Sequence, residues 1–105
     1  ALNLLTRTFA IELGPYGIRV NAVSPGLVRD EVLGPDNPPR NEYDRAVLSG
    51  IPLGRTASPE DVAEAVLFLA DDRRAAFVTG AFLSVTGGAD AGRTHLPSSR
   101  ALRRM

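Results

Sequence analysis

The chain has 105 residues, enough for one domain of modest size. It has no cysteine and a single histidine, His95, which excludes disulfides, thiol catalysis and a thiolate or multi-histidine metal centre within one chain. All twelve basic residues are arginine, so no lysine is available to lower a tyrosine pKa, form a Schiff base or hold a phosphate.

Net charge is zero but unevenly placed. Residues 1–90 carry eight arginines against twelve acids, and residues 91–105 carry four arginines and no acid. Four charges bind nucleic acid or anionic lipid weakly, so residues 91–105 read as a basic, solvated tail, and neither nucleic acid nor membrane is an expected partner. The longest apolar stretch, Ala65 to Ala70, is far too short to span a bilayer, and nothing at the N-terminus reads as a signal peptide. A cytoplasmic location is the resulting expectation. The chain opens inside an amphipathic pattern at Ala1, which reads as a piece of a longer protein.

In chain order, residues 2–13 predict a helix. Leu2, Leu5, Phe9 and Leu13 follow helical spacing, and Leu4 with Ile11 makes a second apolar row. A helix apolar on two sides is expected to be buried on two sides, for example between a sheet and a neighbouring subunit. Gly14-Pro15 ends it, with Gly14 in the post-helix position. Ile18 to Val23 predicts a short strand with Ile18, Val20 and Ala22 on one side and Arg19, Asn21 and Val23 on the other. Residues 24–40 hold Pro25, Pro35, Pro38, Pro39, Gly26 and Gly34 and predict a long loop of the kind that serves as a lid. A short helix is expected from Glu42 to Leu48 and a turn over 50–54. Ser58-Pro59-Glu60-Asp61 is a helix start: a serine cap, proline at the first helical position and two acids at the positive end. Val62, Val66 and Leu69, with Ala63, Leu67 and Ala70, form its expected buried face. The helix ends near Asp71-Asp72, and a turn at Thr79-Gly80 leads to a strand, Ala81 to Val85, that stops at Gly87-Gly88.

A strand–helix–strand connection of this length favours parallel pairing with a right-handed crossover. Two parallel strands need covered faces and further neighbours. The chain therefore reads as the closing part of a larger α/β sheet.

Three ordered segments resemble the short-chain dehydrogenase/reductase family. These are Ala1-Leu2-Asn3-Leu4-Leu5-Thr6-Arg7 through Glu12-Leu13; Gly17-Ile18-Arg19-Val20-Asn21-Ala22-Val23-Ser24-Pro25-Gly26; and Ile51-Pro52-Leu53-Gly54-Arg55 through Ser58-Pro59-Glu60-Asp61-Val62-Ala63 and Phe68-Leu69-Ala70 to Val78-Thr79-Gly80 and Gly87-Gly88. Together they span residues 1–90, and the last looks most like the 3-oxoacyl-carrier-protein reductase branch. The resemblance implies an α/β fold, the C-terminal portion of a Rossmann-like doubly wound parallel sheet. It also implies NAD or NADP as cofactor and a small-molecule carbonyl or alcohol as substrate. Ligands of such sheets bind beyond the carboxyl ends of the strands, where Ser24-Pro25-Gly26 falls. By resemblance, Pro25 and Gly26 lie along one face of the nicotinamide, with Gly26 allowing backbone to approach the ring, and the Val28 backbone hydrogen-bonds the carboxamide. Two residues further the family usually has threonine, and this chain has Asp30. A carboxylate there accepts a hydrogen bond from an amide but repels a pyrophosphate; the alternative is that Asp30 points into solvent. Thr86, where relatives often carry Asp or Asn, is expected to change a turn contact. Residues 31–50 match the substrate lid. Arg40 or Arg45 could meet an anionic substrate there, or simply be solvated.

The family's chemistry also needs a serine and a Tyr-x-x-x-Lys pair. Tyr16 and Tyr43 are followed four residues on by Val20 and Val47. Gly14-x-x-Gly17 follows a helix rather than a strand and cannot serve as the phosphate turn. No residue of this chain is therefore a candidate catalytic group, and none a metal ligand. Two functions follow as expectations. The first is a C-terminal fragment of an NAD(P)-dependent oxidoreductase, inactive alone. The second is a truncated, non-catalytic module that associates through residues 1–13 and 59–85, the elements that commonly form subunit contacts in the family.

Overall fold

The computed structural model describes residues 1–91. Helix α1 spans Leu2–Leu13 and runs into a 3-10 turn, Gly14–Tyr16. Strand β1 spans Ala22–Pro25, α2 Glu42–Ser49, α3 Pro59–Ala70 and β2 Phe82–Val85. The two strands are parallel neighbours, with Ala22 opposite Phe82 and Pro25 opposite Val85. Helix α3 packs on both strands and α1 on β1. This is a partial Rossmann-type α/β layer. Of the expected basic tail, 91–105, all but Ala91 lies outside the described residues.

Local chemistry accounts for most of these boundaries. Ser58 caps α3 by accepting from the Asp61 N–H (3.2 Å), while the Asp61 carboxylate accepts from the Ser58 N–H (2.8 Å), a reciprocal capping box. Asn41 caps α2 by accepting from the Asp44 N–H at 2.7 Å.

The end of α1 differs from expectation. Gly14 stays right-handed at φ −54°, and the left-handed residue is Gly17 at φ +75°. A residue before proline is normally pushed out of the helical region, in part by its own Cβ. Gly14 has no Cβ, so Pro15 opens a 3-10 turn and the reversal falls three residues later.

The first strand also differs: Ala22–Pro25 replaces the expected Ile18–Val23. Residues 20 and 21 still meet the segment before β2, but largely through side chains. The Val20 N–H donates to the Thr79 hydroxyl (3.0 Å). The Asn21 amide donates to the Val78 carbonyl (3.0 Å) and accepts from the Ala81 N–H (3.0 Å). One backbone bond joins them, from the Gly80 N–H to the Val20 carbonyl at 2.7 Å, and the paired register begins at Ala22. Pro25 is tolerated because the N–H groups of Ala22 and Gly26 face β2, which leaves the Pro25 nitrogen on the open edge of the strand.

The largest departure is in burial. The described core consists of Ala10, Leu33, Ile51, Leu69 and Ala75, with Thr6 and Thr56. On α1, Leu4 is 70% exposed and Ile11 76%; on α3, Leu67 is 61% exposed and Val66 is also exposed. Among the described residues nothing covers the second side of α1 or much of the expected buried face of α3. A two-stranded sheet is too narrow to cover both helices.

Candidate functional site

The carboxyl ends of β1 and β2 lie side by side. The Gly26 N–H donates to the Val85 carbonyl at 2.9 Å, continuing the ladder one residue past Pro25, which is itself exposed. A Cβ on Gly26 would sit 3.0 Å from the Thr86 Cα and 3.3 Å from its Cβ. The close approach that Gly26 permits in this chain is therefore to the end of the neighbouring strand. Gly87 is held equally tightly. Its φ is +64°, and a Cβ there would lie 2.8 Å from the Ile51 Cγ2. The turn at 50–54 packs onto this point, with the Leu53 N–H donating to the Gly87 carbonyl at 3.0 Å.

Beyond Gly26 the chain forms a parallel bridge between Val28 and Ala57. The Arg29 N–H donates to the Ala57 carbonyl and the Ala57 N–H to the Leu27 carbonyl, both at 2.9 Å. In such a bridge the central residue's own N–H and C=O point the other way. Among the described residues neither group of Val28 has a hydrogen-bond partner. Val28 thus presents a donor and an acceptor together, the complement of a carboxamide.

Asp30 follows in an exposed bend, and its carboxylate makes no hydrogen bond or ion pair among the described residues. The adjacent Arg29 does not neutralise it, because the Arg29 guanidinium is paired at 3.0 Å with Asp44 on α2. Val28, Arg29, Asp30, Glu31, Arg40 and Asp44 line one groove.

Two further contacts hold this region. Thr56, fully buried, accepts from the Leu33 N–H through its hydroxyl (3.0 Å), and its own N–H donates to the Leu33 carbonyl (3.0 Å). They pin the lid segment to the strand-like stretch before α3. Arg55 grips both carboxylate oxygens of Asp61, at 2.7 and 3.3 Å. The Arg55 hydrogen bond, followed by that from the Ser58 N–H, holds the Asp61 carboxyl far below the usual carboxylate range. At the end of β2, the Thr86 hydroxyl donates to Asp90 and holds its carboxyl below the usual range, so Thr86 does serve a turn contact.

A cavity of about 230 Å³ lies between these parts, lined by residues that include Leu27, Ile51, Leu53, Ala57 and Val85. That is below the roughly 300–1,000 Å³ of small-molecule sites, too small for a dinucleotide. No group of three or more His, Cys, Asp or Glu residues placed to hold a metal occurs among the described residues. No helix among them is long and apolar enough to cross a membrane.

Pro25 and Gly26 thus lie at the carboxyl end of β1, and Val28 and Asp30 share the groove that follows it. The sequence reading missed Arg19, Asn21 and Thr56, which position that end. Their only trace in the sequence is polar residues alternating within, or flanking, apolar segments.

The comparisons with known proteins agree with this architecture. Residues 1–90 match the family model described as Enoyl-(Acyl carrier protein) reductase. The chain is 46% identical over 91 residues to the 3alpha-hydroxysteroid dehydrogenase of Mediterraneibacter gnavus, covering 85% of this chain and 34% of that protein. It superposes on a Serratia marcescens short-chain dehydrogenase/reductase with a TM-score of 0.70 at 38% identity, covering 84% of this chain and 34% of that one. A Haemophilus influenza structure with bound NAD, assigned as a D-mannonate oxidoreductase, gives a TM-score of 0.72 at 30% identity, over 88% of this chain and 34% of that one. The chain therefore spans about a third of the length of the relatives it matches. With this ordered match over residues 1–90 and these strand ends, the chain belongs to the short-chain dehydrogenase/reductase family.

Proposed function

We propose that this chain is the C-terminal, nicotinamide-facing part of an NAD(P)-dependent oxidoreductase acting on a small-molecule carbonyl or alcohol in the cytoplasm. The observation that carries this reading is the N–H and C=O of Val28, unpaired among the described residues and set just past the Pro25-Gly26 strand end. Pro25 and Gly26 bound the ring, Val28 holds the carboxamide, and Asp30 stands at the edge. The cofactor supplies the hydride chemistry. This chain's own residues bind and orient its nicotinamide end. They contain no Tyr-x-x-x-Lys pair and no phosphate turn.

The isolated chain is accordingly expected to oxidise no NADH or NADPH with carbonyl substrates, whereas the complete polypeptide carrying it is expected to bind one of these cofactors. Turnover by the isolated chain above the buffer rate would sink the first half. Failure of the complete polypeptide to bind any of the four oxidised or reduced forms would sink the second.

A second reading, a non-catalytic module that self-associates through residues 1–13 and 59–85, is favoured by the exposed apolar faces of α1 and α3. Light scattering coupled to size exclusion separates the two: a monodisperse oligomer favours the module, and a monomer or an aggregate argues against it.

A further inference from the structure

We propose that Asp30 selects the redox state of the cofactor, favouring the oxidised over the reduced nicotinamide; this rests on the reading of Val28 and its neighbours as the nicotinamide-facing edge. The oxidised ring carries a positive charge and the reduced ring is neutral. The pyrophosphate carries the same charge in both forms. Repulsion between the Asp30 carboxylate and the pyrophosphate therefore weakens both forms alike and cancels from their ratio, while attraction to the ring acts on the oxidised form alone.

Three observations make Asp30 the effective charge. It shares a groove with Val28, whose backbone donor and acceptor are unpaired among the described residues. Its carboxylate is exposed, with no hydrogen bond or ion pair among those residues. The guanidinium next to it in sequence, Arg29, is drawn away to Asp44 at 3.0 Å, on a carboxylate side chain 14% exposed. The groove holds three carboxylates, Asp30, Glu31 and Asp44, against two guanidiniums, Arg29 and Arg40, a net charge of −1. With Arg29 and Asp44 consumed by each other, Arg40 balances only one of the two remaining acids.

The test is the pair of dissociation constants for the oxidised and reduced cofactor, NAD+ with NADH or NADP+ with NADPH, measured by calorimetry on the complete polypeptide. Asp30→Asn keeps the size and removes the charge, and the exposed site gives no reason for misfolding. The ratio of the oxidised to the reduced constant is expected to rise by about three- to tenfold in dilute buffer, and the rise to shrink as salt is added. Asp36→Asn, an exposed acid in the lid turn outside the groove, is expected to leave the ratio unchanged. A ratio within twofold of wild type in Asp30→Asn, with both forms bound, overturns the selector role and leaves the proposed function standing. Absence of binding by either form in wild type overturns both.

Discussion

The Arg19 guanidinium donates to the Leu69 carbonyl at 2.8 Å and, through the same nitrogen, to the Val78 carbonyl at 3.3 Å. Its second nitrogen reaches Asp72 at 3.0 Å. A side chain just before β1 thus closes the C-terminal end of α3, where unpaired carbonyls and the negative helix pole both favour a cation. It also ties α3 to the approach into β2. Because the register of β1 against β2 sets where Pro25 and Gly26 end, Arg19 acts on the candidate site from the opposite end of the strand.

Replacing Arg19 with methionine keeps much of the apolar stem and removes every donor. Arg19 is only 17% exposed, so little water replaces them. The expected loss is about 1.5–3 kcal/mol of stability, the range for hydrogen bonds to charged groups, read from urea unfolding. Asp72 is 93% exposed, so Asp72→Asn is expected to cost much less. Equal losses in the two variants would show that the ion pair, rather than the helix-end carbonyls, carries the contact.

Asp61 gives a pH dependence whose sign is fixed. Its folded pKa is depressed by Arg55 and by the Ser58 N–H. A depressed carboxylate contributes stability that is present above its unfolded pKa, near 3.9, and is lost as pH falls through the folded value. The capping box of α3 should therefore persist well into acid. Asp61→Asn is expected to lower stability at neutral pH, and the gap to wild type is expected to close as acid is added. Thermal unfolding midpoints measured from pH 7 down to strong acid check this. A gap that stays constant with pH would contradict it.

The elements read best from sequence were those whose chemistry is local. Ser58 to Asp61 carries cap, proline and acids within four residues, and the helix starts where they indicate. The strand expected over Ile18–Val23 starts only at Ala22 because Val20 and Asn21 meet residues 78–81 largely through the Thr79 and Asn21 side chains, across some sixty residues, which no local pattern records. The apolar faces of α1 and α3 were legible as apolar, but not their exposure here, because burial depends on partners beyond the two strands of this chain. At the site, Pro25 and Gly26 were legible as a strand end. The donor and acceptor of Val28, unpaired among the described residues, were not legible from spacing, since they follow from a bridge to Ala57.

Gly87 and Gly14 make a contrasting pair. Gly87→Ala places a Cβ 2.8 Å from the Ile51 Cγ2 at a φ of +64°, so both strain and overlap oppose it. A loss of about 1–3 kcal/mol is expected. Gly14 has a right-handed backbone and nothing within 4 Å of an added Cβ. The contact left to oppose Gly14→Ala is with Pro15, through the clash of its ring with a preceding Cβ. Its cost is expected to be smaller than that of Gly87→Ala in the same denaturation experiment, and a reversed order would refute the packing of the 50–54 turn against the end of β2.

Thr56→Val tests how the lid is anchored. The substitution keeps shape but removes the hydroxyl that accepts from the Leu33 N–H, leaving a buried donor unpaired beside a residue that is itself fully buried. An unsatisfied buried group costs about 1–3 kcal/mol. The Leu33 carbonyl keeps its bond from the Thr56 N–H, so the segment is expected to loosen without detaching. Hydrogen exchange is expected to accelerate at the Leu33 and Gly34 amides while α3 amides keep their protection. Thr56→Ser retains the hydroxyl and is expected to restore slow exchange at Leu33, though with the small cavity left by the lost methyl. Rapid exchange at Leu33 in Thr56→Ser as well would assign the anchoring to the threonine methyl rather than to the hydrogen bond.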